Sequence, residues 1–327
     1  MTNSEKTRDK WLQPFDSKSI WNMPIGSDAE YTPANIGKAG WVGVDQELFY
    51  RLKSDDPLQA VYAPGSWTER SQPGGQYQGI DLPIPDNLIV EDCKPNETPN
   101  NASAFLMPDG DTLVQLNALT RPTVGSDIYG WRASDQDITG MGIYGGHGGS
   151  GLSSIGGSIR QGELINETPI QHALKVNIWS EKYLAYNDDR TPGYRWPADR
   201  ADSYAADRYK GDNSELEMGA LLAIDPDCTA ESLGLKTPAG IKLFEALQDY
   251  GAYVVDDSAW DANYWVCEQG VEQEFAKTYG YGMSESSGLF YEDSNQLFQA
   301  LNVVTNNNSD SIGGGGIPLQ PLAPPLA

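Results

Sequence analysis

A chain of 327 residues with 39% hydrophobic side chains is long enough to bury a sizeable core, which excludes a wholly disordered protein. Its formal charge of −24 repels phosphate backbones and anionic lipids, which argues against nucleic acid or a membrane surface as partner. No run approaches the about 20 apolar residues that cross a bilayer, and Cys93, Cys228 and Cys267 lack the spacing of a thiolate zinc site.

In chain order, residues 1–10 are polar and charged, without the apolar centre of a leader. They read as a flexible lead on a mature chain, exported to an extracellular or periplasmic setting after its signal peptide has been removed. From Trp11 to Tyr62 aromatics mix with Pro and Gly, as in Trp21-Asn-Met-Pro-Ile-Gly26, which predicts an extended segment laid along the surface. Strand-like runs follow at Gln59–Ala63, Asn87–Glu91, Ala104–Met107 and Thr112–Asn117. Between the last two, Met107-Pro-Asp-Gly-Asp111 is a hairpin signal, because Asp-Gly readily takes positive φ.

Gly145-Gly-His-Gly-Gly-Ser-Gly151 is a glycine-dense loop. Beyond it, Ser158–Ile165 and Ile170–Trp179 flank Asn166-Glu-Thr-Pro169, which predicts a β-hairpin with a four-residue loop. Further strand-like runs are Ala220–Ile224 and Ala252–Val255. One helix is predicted after the capping Thr237, with Pro238 first and Ile241, Phe244, Leu247 and Tyr250 at helical spacing before Gly251. A shorter one starts near Ser294 and carries Leu297, Phe298 and Leu301. The Gly313–Gly316 run and the Pro-rich stretch to Ala327 read as a linker. Residues 11–327 are therefore expected to form a single mainly β domain, an antiparallel, jelly-roll-like β-sandwich with about two short helices. An α+β arrangement is the alternative.

Three blocks carry a resemblance: Gly146-His-Gly-Gly-Ser-Gly-Leu-Ser-Ser-Ile-Gly-Gly-Ser-Ile-Arg-Gln-Gly-Glu163, Ile170-Gln-His-Ala-Leu-Lys175 and Gly193-Tyr-Arg-Trp-Pro-Ala198. They resemble a group of uncharacterised, mostly secreted bacterial proteins, whose pattern extends to Tyr250-Gly-Ala-Tyr-Val-Val-Asp-Asp257 and the glycine-proline tail. The resemblance implies a secreted origin and a tail that belongs to the domain. It brings no activity with it.

Imidazole chemistry can use only His147 or His172. In the predicted hairpin Glu163 stands opposite His172, and a carboxylate beside an imidazole raises its basicity, as a general base requires. The same alternation puts His172 on the face of Leu174, Val176 and Ile178, so a buried structural pair is the competing reading. His147 sits among glycines, where backbone N–H groups can approach a ligand. Tyr194-Arg-Trp-Pro-Ala-Asp-Arg-Ala-Asp-Ser-Tyr204 joins rings that can lie on a sugar to charged groups that can hold its hydroxyls, and an exposed salt-bridged loop is the alternative there.

These patterns predict a carbohydrate-active protein, a glycoside hydrolase or polysaccharide lyase, whose partner is a polysaccharide or oligosaccharide. Glu163, His172 and Asp202 are the catalytic candidates. His147, Tyr194, Arg195, Trp196, Arg200, Tyr204 and Asp257 are the candidates for holding substrate. No cofactor is required on this reading and no metal ligands are assigned. Calcium at Asp109/Asp111 or Asp225/Asp227 is a subsidiary expectation, although neither pair has EF-hand spacing. A non-catalytic glycan-binding or structural protein is the alternative, and in an extracellular assembly the first 60 residues or the tail would reach a neighbour.

Overall fold

The computed structural model describes residues 7–67, 69–71, 75–92, 100–187 and 192–327, and Cys93 lies outside them. The first strands are β1 (Tyr31–Pro33), β2 (Trp41–Arg51), β3 (Leu58–Tyr62), β4 (Tyr77–Pro83), β5 (Ser103–Leu106), β6 (Thr112–Thr120), β7 (Ile128–Arg132) and β8 (Gln136–Asp137). Then come β9 (Leu174–Trp179), β10 (Leu221–Ile224), β11 (Ala252–Ser258), β12 (Ala262–Glu268) and β13 (Leu301–Val304). The helices are α1 (Ser180–Tyr183), α2 (Ala205–Arg208), α3 (Pro238–Asp249), α4 (Val271–Tyr279) and α5 (Leu289–Gln299).

The strands join in the order β1-β13-β10-β11-β9-β12-β2-β5-β6-β7-β3-β4, with β8 beside β6. The mainly β class expected from the sequence holds, but the antiparallel arrangement does not. Four neighbouring pairs are parallel: β9 with β11, β2 with β12, β2 with β5, and β3 with β7. Parallel neighbours need long crossovers, and the stretch between β9 and β11 supplies one that includes α3. Strand β2 joins the two halves of the sheet, pairing with β12 through Trp41–Glu47 and with β5 through Leu48–Arg51.

Alternation along the strands divides the molecule into layers. Leu174, Val176 and Ile178 of β9 meet Leu243, Leu247, Phe275, Phe290 and Phe298 of α3, α4 and α5 in one core. Tyr253 and Val255 of β11 and Val266 of β12 look the other way, onto Phe15, Trp21, Ile25, Leu152 and Ile155. The Trp11–Ile25 stretch is thus not laid along the surface as expected. Its large apolar side chains are worth more out of water, and Phe15 and Trp21 are 0% and 1% exposed.

The runs expected at 59–63, 104–107, 112–117, 220–224 and 252–255 correspond to β3, β5, β6, β10 and β11. The hairpin turn between β5 and β6 has Gly110 at φ 80°. Asn87–Glu91, next to Pro85, contributes only the bridge from Val90 to Arg121. The helix after Thr237 forms as α3, with the Thr237 hydroxyl accepting from Gly240 N. The second expected helix begins earlier, at Leu289, and α4 was not expected. Nor is the tail a free linker, because Leu319 N donates to Ile25 O and Ala327 N donates to Arg8 O, inside the expected lead.

The hairpin predicted across Ser158–Trp179 does not form. Residues 158–165 make one bridge, Ile159 to Cys267, and then a series of turns through Gly162 at φ 88°. Strand β9 starts only at Leu174.

Trp21 fastens the N-terminal segment to the sheet. Its Nε1 donates to Gly142 O at 2.7 Å and its ring meets Tyr253 edge-on at 5.5 Å. Trp21→Ala is expected to lower the unfolding free energy by about 3–5 kcal/mol in denaturant titrations followed by circular dichroism. An unchanged midpoint would show that this segment is not part of the cooperative core.

Candidate functional site

On the face of the sheet opposite the helices, the central strands carry polar side chains where alternation would place core residues. Register sets Tyr253 beside Lys175, Tyr264 beside Asn177 and Gly43, and Val266 beside Asp45. Lys175, Asn177, Asp45 and Glu47 therefore share one face. Asp256 joins them through a β-bulge. Val254 pairs with Val176 but Asp256 pairs with Asn177, so Val255 is the extra residue. Unbroken alternation would have turned Asp256 into the helix-side core with Val254.

The glycine loop lies over this face. His147 is buried beneath it, with Nε2 2.5 Å from Glu47 Oε1 and 3.1 Å from Lys175 Nζ. Lys175 Nζ donates to Glu47 Oε2 at 2.6 Å and to the carbonyls of Ser153 and Ser154 at 3.1 and 2.5 Å. Those bonds use all three ammonium hydrogens, so His147 Nε2 is left to donate to Glu47. Ser158 Oγ also donates to Glu47 Oε2. Burial opposes charge on Glu47, yet Lys175 and His147 prevail and hold its carboxyl below the usual range. Burial draws Lys175 below its ordinary value in spite of Glu47. Burial and Lys175 also press His147 toward neutrality, but the charge of Glu47 prevails and raises it.

The network continues into a group of acids. Asn100 Nδ2 donates to Asp256 Oδ2 at 3.1 Å and lies 3.3 Å from Asp45 Oδ2, which also accepts from Asn177 at 2.8 Å. Oxygens of Asp202, Asp256 and Asp257 all lie within 4.8 Å of one another. Tyr209 donates to Asp202 at 2.7 Å, while Tyr204 and Ser180 donate to Asp257 at 3.0 and 2.6 Å. Burial and then the charges of Asp256 and Asp257 push Asp202 up to about 8. Burial and Asp256 push Asp257 up to about 6, and burial, followed by Asp256, takes Asp45 to about 6 as well. The loop touches this group directly, since a Cβ on Gly149 would fall 2.7 Å from Asp256 Oδ1 and 3.1 Å from Asp202 Oδ2. Asp256 is buried, Asp202 and Asp257 are half-buried, and Tyr204, which is bonded to Asp257, is 44% exposed.

The structure brings Glu163 and His172 together, though through a turn rather than across a hairpin. His172 Nε2 lies 3.1 Å from Glu163 Oε1, and Nδ1 lies 2.8 Å from Ala173 O. Both nitrogens must donate, so the imidazole has no lone pair with which to take a proton. Burial lowers the pKa of His172, but the Glu163 charge and hydrogen bond outweigh it and raise it. Glu163 also accepts from Arg160 N, so the pair braces the turn.

The 194–204 loop divides. Asp202 and Tyr204 reach the acidic group, as does Asp257 from β11, while His147 lies behind it. Arg195 is tied to Glu215 and the Thr305 carbonyl, and Tyr194 bridges to Met218. Trp196, partly buried, packs against the core that holds Trp21 and Tyr253. Arg200 pairs with Asp199 against Gly151. The calcium candidates Asp109 and Asp225 accept backbone N–H groups of their own turns. Cys228 and Cys267 are free thiols. An open cavity of about 780 Å³ lies elsewhere, lined by Gln76–Gly79 and Arg132–Asp135, and holds none of these acids.

Sequence reasoning missed Asp45, Glu47, Lys175, Asn177 and Asp256. For Lys175 and Asn177 the signal was a polar residue at every second position between Leu174 and Ile178, facing away from a core already recognised, whereas Asp45 and Glu47 lie in an unbroken polar run, Asp45-Gln46-Glu47, and Asp256 follows Val254-Val255. No protein-family model, curated protein or solved structure matches the chain.

Lys175→Met would leave Glu47 buried without its ammonium, at an expected cost of about 3–5 kcal/mol. Adding Glu47→Gln should recover part of that loss, and equal denaturation midpoints for the wild type and Lys175→Met would refute the ion pair. The His172 pair has a pH signature. A raised folded-state pKa gives stability that is full below the unfolded value of about 6.5 and is lost as pH rises through the folded value. The stability gap between wild type and Glu163→Gln should thus be wider at pH 6 than at pH 9, and a gap independent of pH would dismiss a charged His172.

Proposed function

We propose that the protein is a secreted carbohydrate-active enzyme that cleaves a polysaccharide at Asp202, Asp256 and Asp257. Breaking a glycosidic bond generally takes two carboxyl groups, one to protonate the leaving oxygen and one to attack or to stabilise the positive ring carbon. The observation that carries this reading is three carboxyls at one half-open position, with the exposed Tyr204 hydrogen-bonded to one of them. Such a ring offers an apolar face to a sugar and a polar tip to its hydroxyls. Just beyond β11 in the chain, the exposed Trp260 lies against Trp41, with centroids 6.3 Å apart, as a second aromatic surface. Glu47, Lys175 and His147 position the loop that roofs the acids. The extracellular setting rests on the likeness of the central motifs to secreted bacterial proteins.

The test is a panel of neutral and uronate-containing polysaccharides, assayed for new reducing ends and for unsaturated products. Asp202→Asn and Asp257→Asn should each cut turnover at least about a hundredfold while leaving the circular dichroism unchanged. Binding to a polysaccharide without any cleavage would replace the enzyme by a glycan-binding module. Full turnover in both variants would remove the reaction from this cluster.

A further inference from the structure

We infer that Asp202, Asp256 and Asp257, together with His147 Nδ1, form a binding site for one divalent metal cation. Two independent observations meet at Asp256. The first is the acid group itself, three carboxylates converging to within 4.8 Å from β11 and from the loop before α2. The second is His147, whose side chain is fully buried and whose Nδ1 has no hydrogen-bond partner. That nitrogen faces Asp256 Oδ2 across 4.0 Å, too far for a hydrogen bond but a gap that a shared ligand can bridge. The other nitrogen is committed to Glu47, the arrangement in which a carboxylate orients a histidine for a metal.

Electrostatics favours the same occupant. Asp45 and Glu47 stand near Lys175 and His147, while Asp202, Asp256 and Asp257 face one another, and like charges removed from water repel strongly unless something neutralises them. A divalent cation would cancel that repulsion and present open coordination positions to sugar hydroxyls. Three carboxylate oxygens and one imidazole nitrogen suit a hard to borderline ion, for which Mn²⁺ and Ca²⁺ are the probes. The site shares its residues with the proposed reaction centre, and a carboxyl held by the cation is not free to protonate a leaving oxygen, so cation binding is tested apart from glycan cleavage and does not depend on it.

The experiment titrates chelator-treated full-length protein with MnCl2 and CaCl2 by calorimetry, alongside thermal melts. One ion per chain and a higher melting temperature are expected with at least one of the two salts. Asp202→Asn, at the half-exposed rim, and Asp256→Asn should weaken that binding at least tenfold, whereas Glu163→Gln should leave it unchanged. If Asp256→Asn does not fold, Asp202→Asn alone decides. For Mn²⁺, a nitrogen coupling in the electron spin-echo spectrum that disappears in His147→Gln would assign Nδ1 as a ligand. Absence of saturable binding, or binding untouched by Asp202→Asn, would overturn the site whatever the polysaccharide assays show.

Discussion

Charges held away from water on one face of a β-sheet impose the constraint around which this molecule is organised. A buried ammonium or carboxylate persists only where a partner and hydrogen bonds replace its lost hydration. Lys175 meets that condition with Glu47 and two loop carbonyls, and Glu47 meets it with Lys175, His147 and Ser158. These partners come from β2, β9, and the glycine loop with the segment that follows it. The ion pair thereby locks three distant stretches of chain into one arrangement, and the loop that roofs the acids is held by it.

The glycine loop follows from the same constraint. Backbone passes so close to the acids that a side chain at Gly149 would collide with Asp256 and crowd Asp202. Because the roof is backbone, Asp202 and Asp257 remain half-buried, shielded enough to feel one another and open enough to meet a ligand. Tyr204, exposed and bonded to Asp257, stands where that opening reaches solvent. A reactive carboxyl group and a metal ligand both benefit from this intermediate environment, in which neighbouring charges are felt strongly without being sealed off.

Much of the architecture was legible in the sequence, because local signals coincide with local structure. Thr237-Pro238 opens a helix, Asp109-Gly110 makes a hairpin, and the short apolar runs are strands. Strand partners were not legible. The pairing of β2 with β12 and of β9 with β11 joins segments far apart in sequence, and no local pattern encodes that choice. The candidate site divides along the same line. His147, Asp202, Tyr204 and Asp257 were found from composition and spacing, but Glu47 and Lys175 gain their meaning only when β2 and β9 flank β12. Glu163 and His172 do meet, yet the turn that joins them leaves the imidazole donating from both nitrogens, a detail that strand alternation could not reveal.

The surplus residue in β11 has a consequence for how this chain tolerates change. Val255 has no partner in β9, so exchanging it for another hydrophobe alters packing by a methyl group or two. Deleting it would leave Val254 opposite Val176 and Asp256 opposite Asn177, and a regular strand in that register still turns the acid toward its fellow carboxylates. The arrangement thus tolerates both substitution and loss at this one position.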